Sequence, residues 1–381
     1  MYKRCPKCLL SAKVPGADLA SDGTCRPCRE FHTGRLEEQE AYRGKCEEDL
    51  EHALATCSGR GEYDCLVSFS GGKDSVFLLH KLVKEYGLKV LAYTSNFDIP
   101  QRTWKNIRQT TRLLDVDHIV YTPPQEFYRR FIRHLLLNQD ARGAVHTVCY
   151  FWLDLREGDL LRLAVEKEIP LVLSGYSPGQ PDPKRMLYEM SQERICEEDW
   201  TPHDMFTDGI FRESERHRFW NPKRYPCGTQ FPRFLAPFHA WPYDQSEVMR
   251  RVVELGLVPN RIHANPMLSN FSLNWLLMYS DLRNLGYNPY LPEFAQLIRE
   301  GKASLAKWRA MEALVNFMIR KRIFMGRHVN KALKWLDLSL DDLSFSKPIP
   351  KSVAPERQPP EPLSFPPIPT YEKITDIEFL V

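Results

Sequence analysis

The chain has 381 residues, of which 43% are hydrophobic, so it is long enough to fold as two or three domains with a substantial core. Its net charge of +3 neither requires nor excludes a nucleic-acid partner, because such binding depends on local patches of charge. The sequence contains no apolar run near the ~20 residues that span a bilayer, and its polar start is unlike a signal peptide. We therefore expect a cytoplasmic protein with no membrane partner.

The N-terminal segment contains two closely spaced pairs of cysteines. Cys5 and Cys8 form the first pair, and Cys25 and Cys28 follow after sixteen residues. This spacing is typical of four-thiolate zinc sites, and each pair lies in a turn-forming sequence that brings both sulfurs to one ion. We predict a zinc ribbon over residues 1–35 with a structural Zn²⁺ ion. Two disulfides or an iron–sulfur cluster are the alternatives, although a cytosol keeps disulfides reduced.

Residues 36–62 are predicted to form a charged connector helix, after which strands alternate with helices. Predicted strands occupy 64–69, 89–94, 117–121, 169–175 and 233–237. Predicted helices occupy 74–86, 101–114, 126–137 and 155–167, because apolar residues recur there at helical spacing. The alternation predicts an α/β fold with a doubly wound parallel sheet of five strands. In such sheets, ligands bind beyond the carboxyl ends of the strands where the strand order reverses.

The first strand runs directly into a serine- and glycine-rich turn that opens the first of these helices. The six residues of the turn are Ser70, Gly71, Gly72, Lys73, Asp74 and Ser75. The glycines allow successive N–H groups to point into one concavity, and the helix start adds unpaired donors, so the segment suits a phosphate group. It is not a Walker A loop, because Val67 stands where that motif requires glycine and Asp74 where it requires Ser or Thr. A plain turn that caps a helix is the alternative.

The segment resembles the S-G-G-x-D-S signature of the ATP pyrophosphatase (PP-loop) superfamily, which cleaves ATP between the α and β phosphates and adenylates an oxygen of the substrate. The resemblance implies a PP-loop (HUP-like) sheet, ATP and Mg²⁺ as cofactors, and catalytic roles for Lys73 and Asp74. Lys73 would act on the departing pyrophosphate, and Asp74 would contact the metal or serve only as a first-turn acid of the helix. Because strand ends converge, adenine and ribose are expected near Thr94, Ser95 and Gly175.

The rest of the chain divides by composition. Residues 63–260 are predicted to form the PP-loop domain, with an insertion at about 177–232 over the mouth of the site. A basic and aromatic stretch of this insertion, 212–224 with Phe219 and Trp220, would either meet RNA or form an ordinary surface loop. Residues 261–345 are predicted to be a helical region with helices at 271–284 and 294–314. Residues 346–381 are predicted to be a proline-rich extended tail.

The order of these features along the chain resembles one particular family within the PP-loop superfamily. The cysteine ribbon, the charged helix, the 70–75 loop and the runs 87–92 and 115–119 together resemble the N-acetyl sugar amidotransferase family over residues 1–175. That family turns an acetamido group of a nucleotide-linked or nonulosonate sugar into an acetamidino group. The chain departs from the family in two ways. A Gly-Glu-Asn follows the fourth strand in the family, whereas this chain has Tyr176 and Ser177 after Gly175, and the proline-rich tail is foreign to it.

The resemblance implies amidation by an adenylating enzyme. ATP would activate the carbonyl oxygen of an N-acetyl sugar-type or other small-molecule acceptor, and ammonia would replace it. No glutaminase pattern is recognisable, so the ammonia is expected from a separate glutaminase subunit or from solution. The alternative is a PP-loop thiolase that adds sulfur to a tRNA base or a small molecule through Cys149, Cys196 or Cys227, although isolated cysteines are commonly buried apolar residues. A third class of function is a non-enzymatic ATP-binding protein. Such a protein would have less need of a positive charge placed beside the pyrophosphate group.

Overall fold

The computed structural model describes residues 4–31, 33–59, 61–178, 180, 186–266, 268 and 270–343. The predicted proline-rich tail, 346–381, lies outside the described residues. The described chain builds a central parallel sheet with helices on both faces, an N-terminal four-cysteine segment and a helical C-terminal part.

The sheet has five strands, and all of its pairings are parallel. The strands are β1 (Cys65–Ser68), β2 (Val90–Ser95), β3 (Asp117–Tyr121), β4 (Leu171–Ser174) and β5 (Arg233–Leu235). Their order is β3-β2-β1-β4-β5, so the predicted α/β class with five parallel strands is confirmed. The order reverses between β1 and β4, which places the expected ligand crevice at the carboxyl ends of those two strands.

Thirteen α-helices lie in the described part of the chain. They are α1 (Arg26–Arg29), α2 (Thr33–Cys57), α3 (Lys73–His80), α4 (Gln101–Leu114), α5 (Gln125–Leu137), α6 (Ala144–Glu166), α7 (Gln192–Cys196), α8 (His203–Thr207), α9 (Gln245–Glu254), α10 (Asn274–Asn284), α11 (Leu291–Arg299), α12 (Leu305–Lys321) and α13 (Arg327–Leu336). A π-helical turn, Lys81–Glu85, follows α3, and short 3-10 turns occupy Glu213–Arg218, Pro222–Arg224, Pro237–His239, Phe324–Gly326 and Asp341–Leu343. None of the described helices is both long and apolar enough to cross a membrane.

Helix α6 begins much earlier than predicted. The sequence predicted a start near residue 155, whereas the helix starts at Ala144. Its first N–H groups, those of Ala144 and Val145, donate to the carboxylate of Asp281 on α10. Because this cap comes from a distant part of the chain, the local sequence could not show it.

The prediction of a single helix over 294–314 is wrong. The chain forms two helices there, since α11 ends at Arg299 and α12 begins at Leu305. Gly301 lies between them with a φ of +72°, a conformation that favours glycine and breaks the helix. Helix α4 and strand β3, in contrast, have the predicted bounds.

Both faces of the sheet are covered by apolar side chains. Val67 and Ala92 lie in a core shared with α2, α3, α4 and α9. Leu66 and Leu91 point to the other face and pack with α6. This alternation follows from the two-residue period of a strand. A separate core joins α5, α6, α10 and α13, and a smaller one joins the cysteine segment to α11 and α12.

A buried ion-pair network ties α2 to the edge of the sheet. Arg233 of β5 lies 2.8 Å from Asp49 of α2 and 2.7 Å from Glu189. Burial alone would lower the pKa of Arg233, but these two carboxylates outweigh it and raise the pKa. Because an unpaired buried guanidinium is costly, the network fixes α2 and the segment around Glu189 against β5.

Candidate functional site

The loop between β1 and α3 lies at the carboxyl edge of the sheet. Gly71 has a φ of +72°, a region that favours glycine. A Cβ on Gly71 would lie 2.6 Å from Cγ1 of Ile107 and 2.9 Å from Cγ2 of Thr103, both on α4. The backbone angle and the contact with α4 therefore each exclude a side chain at this position.

Two asparagines hold the loop from outside. Asn106 Nδ2 on α4 donates to the carbonyl of Gly71 at 3.0 Å and to the carbonyl of His263 at 3.1 Å. Asn270 lies over Gly72, since a Cβ there would be 2.3 Å from Asn270 Nδ2. Neither asparagine was predicted, because a single amide in a helix or turn carries no distinctive spacing.

The start of α3 offers donors for an anion. No side chain among the described residues caps this helix at Gly72, so its first N–H groups remain for a ligand. The hydroxyls of Ser70 and Ser75 lie 3.1 Å apart, and Ser75 Oγ also donates to the carbonyl of Gly72 at 3.1 Å. The predicted phosphate loop thus combines two hydroxyls with the open end of a helix.

The charged residues of the loop form a buried triad with Tyr243. Lys73 and Asp74 are only 5% and 9% exposed, and Lys73 Nζ lies 2.5 Å from Asp74 Oδ2. The Tyr243 hydroxyl accepts from Lys73 Nζ at 3.1 Å and donates to Asp74 Oδ1 at 2.9 Å. Burial alone would lower the pKa of Lys73, but Asp74 and Tyr243 outweigh it and raise the pKa. Lys73 is therefore held as a protonated ammonium group that is paired with Asp74.

The turn after β4 closes against the loop. A Cβ on Gly175 would lie 2.8 Å from the backbone N of Ser75 and 3.0 Å from its Cα, so this close approach needs glycine. Ser177, two residues further on, is buried beside the hydroxyl of Tyr243. The structure thus brings Gly175 to the 70–75 loop, at the reversal of strand order.

Thr94 and Ser95 lie at the carboxyl end of β2. The hydroxyl of Thr94 has partners within the fold, whereas the buried Oγ of Ser95 has no hydrogen-bond partner among the described residues. Thr94 is 1% exposed, and its hydroxyl donates to the carbonyl of Phe69 and lies 2.8 Å from Nε2 of His118. Ser95 is half-buried beside the phenol of Tyr128. Their role in holding adenine or ribose stays a prediction.

An acid from the C-terminal helices joins the site. Glu293 lies in the first turn of α11, and its burial raises the pKa to about 7, while Lys73 lowers it and Asp74 raises it. A carboxyl with such a pKa can hold or release a proton at neutral pH. Glu293 and Tyr243 were both missed by sequence reasoning, because each lies far along the chain from the loop and in no motif.

The four predicted metal ligands converge. The Sγ atoms of Cys5, Cys8, Cys25 and Cys28 all lie within 4.8 Å of one another, and all four cysteines are free of disulfides. The Cys8–Cys25 and Cys5–Cys28 sulfur distances are 3.5 and 3.8 Å. Sulfurs at about 2.3 Å from one tetrahedral ion stand about 3.8 Å apart, so the arrangement fits a single ion. An iron–sulfur cluster, which binds its thiolates through separate irons, would spread the sulfurs further.

The cysteines considered for sulfur transfer differ in exposure. Cys227 is exposed, whereas Cys149 and Cys196 are half-buried. Burial raises the pKa of Cys149 to about 12 and also raises that of Cys196. Because the thiolate is the nucleophile, Cys149 and Cys196 are poorly prepared for attack at neutral pH.

The basic and aromatic stretch 212–224 does not offer its large rings to a partner. Phe219 and Trp220 are 3% and 0% exposed. Trp220 donates from its indole nitrogen to the carbonyl of Ile195 at 2.8 Å. Neither ring can therefore stack on an RNA base, and the stretch is the ordinary surface segment around a buried aromatic core.

Comparisons with known proteins yield distant structural similarity. No protein-family model and no curated protein matches the chain.

An NMN synthetase from Francisella tularensis is 12% identical with a TM-score of 0.37, over 79% of this chain and 97% of that one. A U34-tRNA thiolase from Methanococcus maripaludis, with its 4Fe-4S cluster, is 12% identical with a TM-score of 0.32, over 88% and 89%. A predicted subunit of tRNA methyltransferase from Methanocaldococcus jannaschii is 17% identical with a TM-score of 0.27, over 53% and 92%. Similarity of this size does not indicate a function.

Proposed function

We propose that this protein is an ATP pyrophosphatase-type enzyme, which adenylates an acceptor and forms AMP and pyrophosphate. The observation that carries the proposal is the buried triad of Lys73, Asp74 and Tyr243 in a Ser-Gly-Gly-Lys-Asp-Ser loop at the reversal of strand order. Burying a lysine costs free energy, and simple nucleotide binding gives little reason for that cost. A charge that acts on pyrophosphate as it leaves does give one.

Different groups of the loop bind the phosphates and stabilise the leaving pyrophosphate. Backbone N–H groups from Gly71 to Ser75 bind the β and γ phosphates, and Lys73 balances the negative charge that builds on the leaving pyrophosphate. Asp74 offers carboxylate oxygens, the donors that Mg²⁺ prefers, so the site suits this ion. When bound, Mg²⁺ would neutralise further charge on the phosphates.

The acceptor we favour is the carbonyl oxygen of an N-acetyl sugar-type or other small molecule. That oxygen attacks the α phosphorus, the bond to the oxygen that bridges to the β phosphate breaks, and pyrophosphate leaves. Ammonia from a separate glutaminase subunit or from solution then attacks the activated carbon, and AMP departs with the acceptor oxygen. Glu293, with its pKa of about 7, suits the removal of a proton from the attacking nitrogen.

A thiolase that adds sulfur to a tRNA base or a small molecule is the second candidate. It is favoured by a surface where exposed apolar and basic side chains mix on α12 and the turn after it, a composition that suits RNA. The exposed residues are Leu314, Phe317, Arg320, Lys321, Arg322, Ile323 and Phe324. The raised pKa values of Cys149 and Cys196 weigh against a route through those sulfurs.

The test supplies ATP and Mg²⁺ together with isotopically labelled ammonium or a sulfur donor. Acceptors are free and nucleotide-linked N-acetyl sugars in one series and bulk tRNA in another. Amidation predicts AMP formation that requires both ammonium and a sugar, with the labelled nitrogen found in the sugar by mass spectrometry. Sulfur in tRNA nucleosides would instead establish the second candidate, and ADP with phosphate would contradict both.

A further inference from the structure

Helix α11 contacts the four-cysteine cluster at one end and approaches the nucleotide crevice at the other. At its C-terminal end, Arg299 Nη1 donates to the Sγ atom of Cys8 at 3.5 Å. At its N-terminal end, Glu293 lies within the electrostatic influence of both Lys73 and Asp74. One helix of nine residues therefore runs from the cysteine cluster towards the charged residues of the loop.

The two sites lie on opposite faces of this helix. Leu291 and Ala295 are buried against the cysteine segment, and Phe294 and Ile298 pack beside them. These positions form one stripe, because residues three and four apart share a helix face. At about 100° per residue, Glu293 lies roughly 150° from the centre of that stripe. The face that carries Glu293 is thus turned away from the cysteines.

The cysteine segment packs against both α11 and α12. The ring of Phe294 on α11 stacks on Trp308 of α12 with centroids 3.8 Å apart. Arg4 pairs with the buried carboxylate of Glu312 on α12, with 3.0 Å between Nη2 and Oε1. A segment this short has little core of its own, so the four sulfurs and their ion would supply most of its stability.

We propose that the four-cysteine cluster, with its metal ion bound, holds α11 as a wall of the nucleotide crevice and so positions Glu293 beside Lys73 and Asp74. Loss of the ion would then weaken the contacts of the cysteine segment with the apolar stripe and with Arg299, and Glu293 would move away from Lys73 and Asp74. The catalytic consequence rests on the proposed function, whereas the mechanical link between the cluster and α11 does not.

The test follows backbone hydrogen exchange before and after the full chain is stripped of metal by a chelator. We expect residues 291–299 to lose protection, while β1 keeps it and ATP affinity changes by less than about threefold. AMP formation should fall by at least about tenfold, and both effects should reverse when zinc is added back. Continued protection of 291–299 without metal would overturn the proposal, as would unchanged AMP formation after this segment loosens.

Two arginine variants separate this link from the folding of the cysteine segment. Arg299→Ala keeps all four cysteines, so it should retain one metal ion per chain and still lose protection over 291–299. Arg309→Ala, at an exposed position of α12, is the matched control and should keep both. An Arg299→Ala protein with wild-type exchange would contradict the proposal. If the wild type forms no AMP with any acceptor, the proposed function fails, and hydrogen exchange still decides whether the cluster holds α11.

Discussion

Lys73 Nζ and Asp74 Oδ2 lie 2.5 Å apart, and both side chains are almost closed to solvent. Neighbouring residues of a helix normally point in different directions, so this contact depends on the strand-to-helix turn and on Tyr243, which bonds to both. The arrangement keeps a full positive charge at the loop without leaving it unpaired. Phosphate oxygens would be an alternative partner for the ammonium, which would free Asp74 to bind Mg²⁺.

Replacing Lys73 by alanine should lower kcat for AMP formation by about a hundredfold or more and weaken ATP binding far less, because the charge acts mainly on the departing pyrophosphate. Steady-state kinetics and equilibrium binding of ATP measure the two effects. Lys84→Ala, at an exposed lysine in the π-helical turn after α3, is the matched control and should behave as the wild type. Equal losses in rate and affinity would contradict this role.

Replacing Gly175 by alanine should separate the β4 turn from the loop. The added Cβ would meet the backbone of Ser75 at 2.8 Å, and backbone atoms cannot swing aside. We expect a loss of about 1–3 kcal/mol in the free energy of unfolding and weaker ATP binding. Urea unfolding and ATP titration check both. In the control Gly44→Ala, on α2, the Cβ has no atom within 4 Å in the described chain, and stability should stay the same or rise by up to about 1 kcal/mol. Wild-type ATP affinity in Gly175→Ala would show that this contact is unimportant.

The four-cysteine cluster should contain one zinc ion per chain. Elemental analysis of the purified protein should find zinc, and Cys8→Ser should reduce its content, because three thiolates bind the ion less well than four. Cys227→Ser removes an exposed cysteine outside the cluster and should leave the zinc content unchanged. Iron with acid-labile sulfide in place of zinc would contradict the assignment.

The pKa of Glu293 predicts a pH dependence of stability. This carboxyl titrates near 7 in the folded chain against an ordinary value of 4.5, so between these values the folded state binds more protons than the unfolded state. The contribution of Glu293 to stability is therefore greatest at low pH, falls as the pH rises through this window and levels off above about 7. Relative to the wild type, Glu293→Gln should gain stability across the window.

Urea unfolding at several pH values tests this dependence. Glu197→Gln, at an exposed glutamate, is the control and should follow the wild-type curve at every pH. A constant difference between Glu293→Gln and the wild type would mean that Glu293 titrates normally.

The sequence predicted those parts of the fold that depend on local patterns. The strand, the glycine turn and the amphipathic helix around residues 64–86 carry their signals within a few residues, and the bounds of α4 and β3 were predicted correctly. The four-cysteine cluster was equally visible, because the spacing of the pairs encodes the turns. The division into domains and the roles of the site residues stay predictions.

Contacts that depend on tertiary packing were not predictable. Tyr243 reaches Lys73 only because β5 lies beside β4 and the chain after it returns to the crevice. Glu293 reaches the same place on a separate helix, and Asp281 caps α6 from far along the chain. A tyrosine or an acid has no spacing rule that would single it out, so only the folded structure shows these partners.

The bond of ATP that is broken tests the central claim most directly. The protein should be incubated with Mg²⁺, an accepted substrate carrying an oxygen-18 label on its carbonyl, and ATP labelled at the α phosphate. Separation of the nucleotides should show AMP with equimolar pyrophosphate, and mass spectrometry should find the heavy oxygen on AMP. ADP with inorganic phosphate, or AMP without the substrate's oxygen, would contradict adenylation of the acceptor at the Lys73 loop.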